Sequence, residues 1–267
     1  MLLREVEYAK PASIAEAITI LAGSDGARAL AGGQTLINVM KARAASPDVL
    51  VDLNGLDDLK GIELAADGTL TIGAMATYTD VVGSAEARAR PILGEVCAQI
   101  ADVQVRNRGT IGGNVCSNDP TNHLPPLMAA IGAQFTIASQ SGERTVAASD
   151  FFLGVYMTAA GPGELLTKIT IPAGKHDGFA AVTLGADGTC IANAAASLNG
   201  SLRVALGCVD AVPIVVEPAS SDDEAVREAV HGAGLAPPAD VHASSEYRAH
   251  LAEVLAVRAA RQARERD

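Results

Sequence analysis

Residues 106–120 read RNRGTIGGNVCSNDP, and residues 30–37 read LAGGQTLI. Both stretches set a glycine pair beside Thr and carboxamide side chains. Glycine lets the backbone take positive φ and approach a ligand with no Cβ in the way. Successive N–H groups in such a turn form a concave anion site. Gly32-Gly33 also leads into a predicted helix, whose N-terminus adds partial positive charge. Gln34 and Thr35 supply further hydrogen-bonding groups. Thr110-Ile111-Gly112-Gly113-Asn114 offers the same backbone chemistry a second time. A glycine pair by itself is more often a plain turn, but two such stretches in one chain fit a diphosphate held from two sides. Neither stretch reads G-x-x-x-x-G-K-[ST] or G-x-G-x-x-G, so the usual mononucleotide and Rossmann modes fail on residues. Arg106 and Arg108 could bind phosphate, or could equally be solvated or paired with acids.

The elements that position these stretches are readable in outline. Ser13 followed by Glu16 has capping-box spacing and starts a helix. Residues 28–31 form a short apolar strand into Gly32-Gly33, residues 35–44 a helix, and Val49–Leu53 a buried strand ended by Asn54-Gly55. ELAADGTLTIGA (63–74) reads as a hairpin turning at Asp67-Gly68. Residues 79–100 look helical with a break near Pro91. A helix over 126–132 follows Pro125-Pro126. Strands are expected at 133–139, 145–147 and 164–171. Beyond the break at Pro172-Ala173-Gly174 come strands at 178–184, 190–198 and 202–209, then helices at 222–232 and 244–265. The division is therefore 1–172, itself split near 55, and 173–267. In the last helix Leu251, Val254 and Leu255 are expected to pack on their own domain, and RAARQARERD to fray into solvent.

Composition narrows the function classes. The chain has 267 residues, 49% of them apolar, with no Trp and 3% aromatics, so aliphatic side chains must build the core. A net charge of −11 without a basic stripe argues against nucleic acid. The charged start MLLREVEYAKP is no signal peptide, and no apolar run of about 18 residues exists to span a membrane, so a cytoplasmic location is expected. Cys97, Cys116, Cys190 and Cys208 form no C-x-x-C pair. Iron–sulfur or zinc ligation by this chain alone is not expected, and the plain reading is four free thiols.

LAGGQTLI, VDLNGL, LTIGAMATYTD, QVRNRGTIGGNVCSNDPTNHLPP and GELLTKITIP, in this order, resemble the FAD-binding domain of the molybdenum hydroxylases, of carbon monoxide dehydrogenase and xanthine dehydrogenase type. VHASSEYRAHLAEVL (241–255) is similar to the end of the same family's C-terminal domain. The resemblance runs along nearly the whole chain, and its size matches the separate medium subunit of three-subunit members. It implies an α+β fold: a PCMH-type FAD-binding domain of two α/β subdomains, followed by a smaller α+β C-terminal domain. It also implies that Ala31, Gly32, Gly33, Gln34, Thr35 and Leu36 wrap the FAD diphosphate with backbone amides. Thr110, Ile111, Gly112, Gly113 and Asn114 would contact the diphosphate and ribityl region from the other side. Ser117 and Asp119 would add polar groups near the cofactor, Thr77 would sit close to the flavin, and Leu166 would touch the ring. Ile100 falls loosely where some members set a residue against the isoalloxazine.

Two positions depart from the family pattern. Four residues past Asp119 the family usually has an acid for the FAD hydroxyls. This chain has His123, which could accept one such bond or could be a solvent-facing loop residue. Val182-Thr183-Leu184 is neutral where relatives often carry a basic residue. In related oxidases with covalent flavin a His stands in the first loop. Gln34 cannot form that bond, so non-covalent FAD is expected. The implied role is an electron relay, with no acid–base catalyst, from iron–sulfur clusters through FAD to an external acceptor. The implied partners are a large molybdopterin-binding subunit and a small two-iron two-sulfur subunit, in a dimer of heterotrimers. A self-contained flavin oxidase and a non-catalytic FAD-binding module are the alternatives in other classes.

Overall fold

The computed structural model describes residues 3–185 and 188–266. Three sheets organise it. The first is parallel, in the order β1 (Glu7–Ala9), β3 (Val49–Asp52), β2 (Ala27–Leu30). Its crossovers are α1 (Ile14–Gly23) and α2 (Leu36–Lys41). Ser13 caps α1 by accepting the Glu16 amide at 3.2 Å, and Glu16 reaches back to the Ala12 amide at 2.8 Å. This satisfies two donors that a helix N-terminus leaves open. Ala17, Ile18 and Leu21 of α1 bury against Val51, Leu53 and Leu59.

The second sheet is antiparallel, in the order β4 (Ile62–Leu64), β5 (Leu70–Gly73), β10 (Leu165–Ile171), β6 (Gln134–Ser139), β7 (Gly142–Ala147). The β4–β5 hairpin turns where expected. Gly68 has φ +83°, and the Asp67 carboxylate accepts the Thr69 amide at 2.9 Å. The expected helix over 79–100 is two helices, α3 (Tyr78–Gly83) and α4 (Ile92–Gln99), with a single 3-10 turn at Ala87–Ala89 between them. Pro91 stands at the N-cap of α4, where its missing N–H costs nothing. Three short helices were not foreseen in residues read as loop: α5 (Val103–Arg106), α6 (Ile111–Ser117) and α8 (Ala148–Phe151). α7 (Leu124–Ala130) begins two residues before its expected start and carries the Pro125-Pro126 pair in its first turn. A small hairpin, β8 (Phe152–Gly154) with β9 (Met157–Thr158), was also not foreseen.

The third sheet is an antiparallel meander of β11 (Asp177–Thr183), β12 (Cys190–Asn199), β13 (Ser201–Gly207) and β14 (Ile214–Val216). α9 (Asp223–Gly232) and α10 (Ser245–Glu265) cover one face. Alanine dominates this contact. Ala192, Ala194 and Ala196 of β12, and Ala252, Ala256, Ala259, Ala260 and Ala263 of α10, are fully buried. Small side chains let helix and sheet close tightly, and a Cβ on Gly178 would come within 2.0 Å of the Ala259 carbonyl oxygen. Leu251 and Leu255 bury inward as expected. The basic end of α10 is not frayed: Arg261 and Arg264 pair with Asp223, and Arg266 pairs with Glu95. The first two guanidiniums, Arg261 foremost, hold the Asp223 carboxyl down to about 2.

Phe179, Ala195 and Ala205 leave the other face of this sheet to join the core of the second sheet. One buried ion pair crosses the same seam. Arg90 Nε and Nη2 donate to the two Asp177 carboxylate oxygens at 2.8 and 2.9 Å, with further bonds to the Pro172 carbonyl and the Ser197 hydroxyl. Both side chains are almost wholly buried. Removing one charge leaves the other unpaired in the seam, so Arg90→Ala should lower stability by about 3–5 kcal/mol. The double variant Arg90→Met/Asp177→Leu should recover most of that loss in urea unfolding.

Candidate functional site

β2 delivers the chain at Leu30 into Ala31-Gly32-Gly33, with Gly33 at φ +72°. The six-residue α2 follows, with Thr35 at its N-cap making no side-chain cap bond. Among the described residues, the amides of Gly32, Gly33, Gln34, Thr35 and Leu36 have no protein acceptor. Five successive N–H donors are thus left for solvent or a ligand. The loop is held by its own carbonyls. Gln34 Nε2 donates to the Gly32 carbonyl at 3.0 Å, Asn38 Nδ2 to that of Gln34 at 2.7 Å, and Asn54 Nδ2 to that of Ala31 at 3.2 Å. Asn54 is itself fixed by the Asp52 carboxylate, which accepts its amide at 3.0 Å and its Nδ2 at 2.6 Å. The Tyr8 hydroxyl donates to the other Asp52 oxygen. Burial alone would raise this carboxyl, but the Tyr8 and Asn54 donors together leave it below the ordinary value.

A cavity of about 390 Å³ opens beside this loop, lined chiefly by Ala31 to Gln34, Asn38, Lys41, Asn54 and Arg108. No acidic side chain lines it. Neither Lys41 nor Arg108 has a side-chain partner among the described residues. In a chain of net charge −11, two unpaired cations beside five open amides make a local anion site. The two arginines left open in sequence therefore separate. Arg108 faces the cavity, whereas Arg106 donates to the carbonyls of Ile100 and Ala101 at 3.0 and 2.5 Å and so holds a corner where Ala101 has φ +44°.

The second glycine stretch abuts the first. A Cβ on Gly32 would lie 2.1 Å from the Arg108 carbonyl oxygen, and one on Gly113 would lie 3.6 Å from the Ala31 side chain. Thr110 to Asn114 is not an open loop but the N-cap and first turn of α6. The four amides after Thr110 are consumed internally: Ile111 and Gly112 donate to the carbonyls of Ala76 and Ala74, and Gly113 and Asn114 donate to the Thr110 hydroxyl and carbonyl. The amide cradle expected here is therefore absent. Gly112 serves contact instead, since its Cβ would meet the Ala74 carbonyl oxygen at 2.5 Å. What this segment keeps open is the Asn114 carboxamide. Its Nδ2 donates to the buried Tyr78 hydroxyl at 2.9 Å, while its buried Oδ1 has no partner among the described residues.

The other expected site residues divide. Thr77 pairs with Thr110 through a strand-like bridge, and its hydroxyl is bound to Asp80 in the α3 capping box. Ser117 donates to the Asn114 carbonyl at 2.8 Å and accepts from Asn122 at 3.0 Å. One Asp119 oxygen accepts from the Thr121 amide and hydroxyl, and the other from the Tyr156 hydroxyl at 3.1 Å. Leu166 is 4% exposed inside the core, beside a bulge in β10, so its side chain has almost no surface for a ring. His123 is not solvent-facing. It is buried in the seam, 5.2 Å from the Phe179 ring centroid, with Nδ1 3.4 Å from Asn193 Nδ2. Asn54 and Lys41 were missed. Asn54 was read only as a strand end, and a single Lys on a short helix gives no signal.

The family described as the FAD binding domain in molybdopterin dehydrogenase matches residues 4–174. Along 97% of both chains the sequence is 38% identical to the carbon monoxide dehydrogenase medium chain of Afipia carboxidovorans. It is 32% identical to the glyceraldehyde dehydrogenase medium chain of Sulfolobus acidocaldarius over 96% of this chain and 97% of that one. A chain of the reconstituted CO dehydrogenase from Oligotropha carboxidovorans superposes with a TM-score of 0.93, at 36% identity and full coverage of both. A chain of quinoline 2-oxidoreductase from Pseudomonas putida 86 gives 0.91, at 33% identity and 98% coverage of both. The chain belongs to this family of FAD-binding medium subunits, and its cofactor is FAD.

Two outcomes follow from the geometry. Gly32→Ala forces its segment off Arg108, and the FAD affinity read by flavin fluorescence titration should fall at least about tenfold with far-UV dichroism retained. His123→Asp places a carboxylate in a dry seam, so it should lower Tm by several degrees rather than tighten FAD. Differential scanning calorimetry with and without FAD distinguishes the two effects.

Proposed function

We propose that this member of the molybdopterin dehydrogenase flavin family relays electrons from iron–sulfur clusters on a small partner subunit, through its FAD, to an external acceptor. A large molybdopterin-binding subunit would hydroxylate the substrate, and the assembly would be a dimer of heterotrimers in the cytoplasm. The observation that carries the reading is the run of five open amides at Gly32–Leu36 beside Lys41 and Arg108, a donor set suited to a diphosphate. The lone Asn114 Oδ1 gives the second segment an acceptor for a hydroxyl or ring N–H. FAD supplies the redox chemistry when bound, and the residues here bind and orient it. The amides and the two cations fix the diphosphate, and the Asp52–Asn54 pair holds the amides in place. Fourteen residues form the proposed contact set: Ala31, Gly32, Gly33, Gln34, Thr35, Leu36, Thr77, Thr110, Ile111, Gly112, Gly113, Asn114, Ser117 and Asp119; His123 and Leu166, expected there from the sequence, are buried away from it. In the second segment the contacts fall to side chains and carbonyls, not to amides.

No described helix is long and apolar enough to cross a membrane. An apolar cluster drawn wholly from buried residues between 191 and 263 supports a C-terminal part over 173–267 beside a flavin part over 1–172, itself divided near 55. Gln34 supports non-covalent FAD, because a carboxamide cannot take the place of an attaching imidazole.

Arg108→Ala and Lys41→Ala should each weaken FAD about tenfold, in line with about 1.5 kcal/mol for one charge-assisted hydrogen bond. The loss should shrink as salt rises. Acid precipitation should leave the flavin in the supernatant. In stopped flow, the flavin in the assembled complex should be reduced by substrate, while the isolated chain is not. Rapid reduction of the isolated chain by an organic substrate would overturn the relay in favour of a self-contained oxidase.

A further inference from the structure

Behind the flavin region, where α7 meets the third sheet, four side chains converge that the relay does not use. Asn193 is fully buried, and its Nδ2 lies 3.4 Å from Cys190 Sγ, 3.7 Å from Cys208 Sγ and 3.4 Å from His123 Nδ1. Its Oδ1 has no partner among the described residues. Cys190 opens β12, and Cys208 stands just past the end of β13. Cys208 has φ +64°, a conformation uncommon outside glycine, and such outliers concentrate where local strain serves function. Asn193 Nδ2 reaches both sulfurs, and the β12–β13 pairing sets the two cysteines on neighbouring strands at the same end of the sheet. The hydrogen bond from Cys208 holds Cys190 well below the ordinary thiol value, against its burial and with smaller help from His123 and Asn193. Cys208 is pushed up correspondingly. Two carbonyls, of Ala192 at 3.3 Å and Val182 at 3.6 Å, compete by accepting from the Cys190 thiol. Three donors outweigh them. The remaining cysteines provide an internal contrast. Cys97 and Cys116 have no such donors, and burial pushes each up to about 12.

We propose that Cys190 and Cys208 are an oxidisable dithiol, with Cys190 the residue that attacks hydrogen peroxide and Cys208 the residue that resolves it into a disulfide. The Cys190 thiolate attacks one peroxide oxygen, an S–O bond forms and the O–O bond breaks. The departing hydroxide takes a proton and leaves as water. The Cys208 sulfur then attacks the Cys190 sulfur, an S–S bond forms and the S–O bond breaks. The Cys208 proton leaves with that hydroxyl as a second water. One hydroperoxide is reduced by two electrons, and the thiol pair is oxidised by two. Hydrogen peroxide is scarcely larger than water, so a small local opening of the fold admits it to the pair.

The test uses the full chain under native conditions with equimolar hydrogen peroxide, quenched by an alkylating reagent and mapped by mass spectrometry without reductant. A peptide pair joined through Cys190 and Cys208, lighter by two hydrogens and separated by dithiothreitol, should appear at least about tenfold faster than any oxidation of Cys97 or Cys116. Cys208→Ser should stop the reaction at a Cys190 sulfenic acid that dimedone captures. Oxidation of Cys190 no faster than of Cys97 and Cys116, or its progress in the unaltered chain to sulfinic acid without the joined pair, would overturn the proposal.

Discussion

The α-carbon of Gly32 rests against the carbonyl of Arg108, with 2.1 Å where a Cβ would stand. Much of the site follows from that approach. It brings the loop after β2 against the segment that enters α6, and so sets Arg108 at the rim of the cavity. The carbonyls of the loop are engaged by Gln34, Asn38 and Asn54, so its amides remain the free groups. A backbone held by its acceptors presents its donors, and a strand-to-helix turn presents several at once. Charge then reinforces geometry, since Lys41 and Arg108 answer no carboxylate.

The two glycine stretches look alike as sequence and act differently in the fold. In the first, Gly33 needs positive φ and Gly32 needs contact without a side chain. In the second, Gly112 and Gly113 lie in helix α6, a place where glycine is a poor former. They are there because Ala74 and the Thr110 hydroxyl leave no room for a Cβ. Close approach and anion binding both select glycine, so residue type alone does not tell them apart. The preceding Thr, an N-cap residue three positions before the glycine amide it receives, was the readable sign of a helix.

The regular elements were the most legible part. The Ser13–Glu16 cap, the Asp67-Gly68 turn and the long α10 stand close to their expected places, because each depends on neighbours within a few residues. Interactions between distant positions stayed hidden. Arg90 finds Asp177 87 residues on, and Arg266 returns to Glu95 171 residues back. The same blindness affected His123, whose burial depends on Phe179 and Asn193 of a sheet still to come. The α+β class and the flavin stretches were legible from short motifs. Which atoms of those stretches stay open was settled only by long-range contacts.

The placement of β10 bears on how the protein is made. It lies at the centre of the second sheet, between β5 and β6, though it is the last of the five strands in sequence. The hairpins β4–β5 and β6–β7 cannot join until residues 165–171 have left the ribosome, and their inner edges stay unpaired until then. At typical synthesis rates that wait lasts seconds. The first glycine stretch stands on a sheet complete by Asp52, but the second emerges before β10, the strand that α6 packs on. A nascent chain thus completes the support of one flavin loop early and of the other late, so the full site forms only toward the end of synthesis.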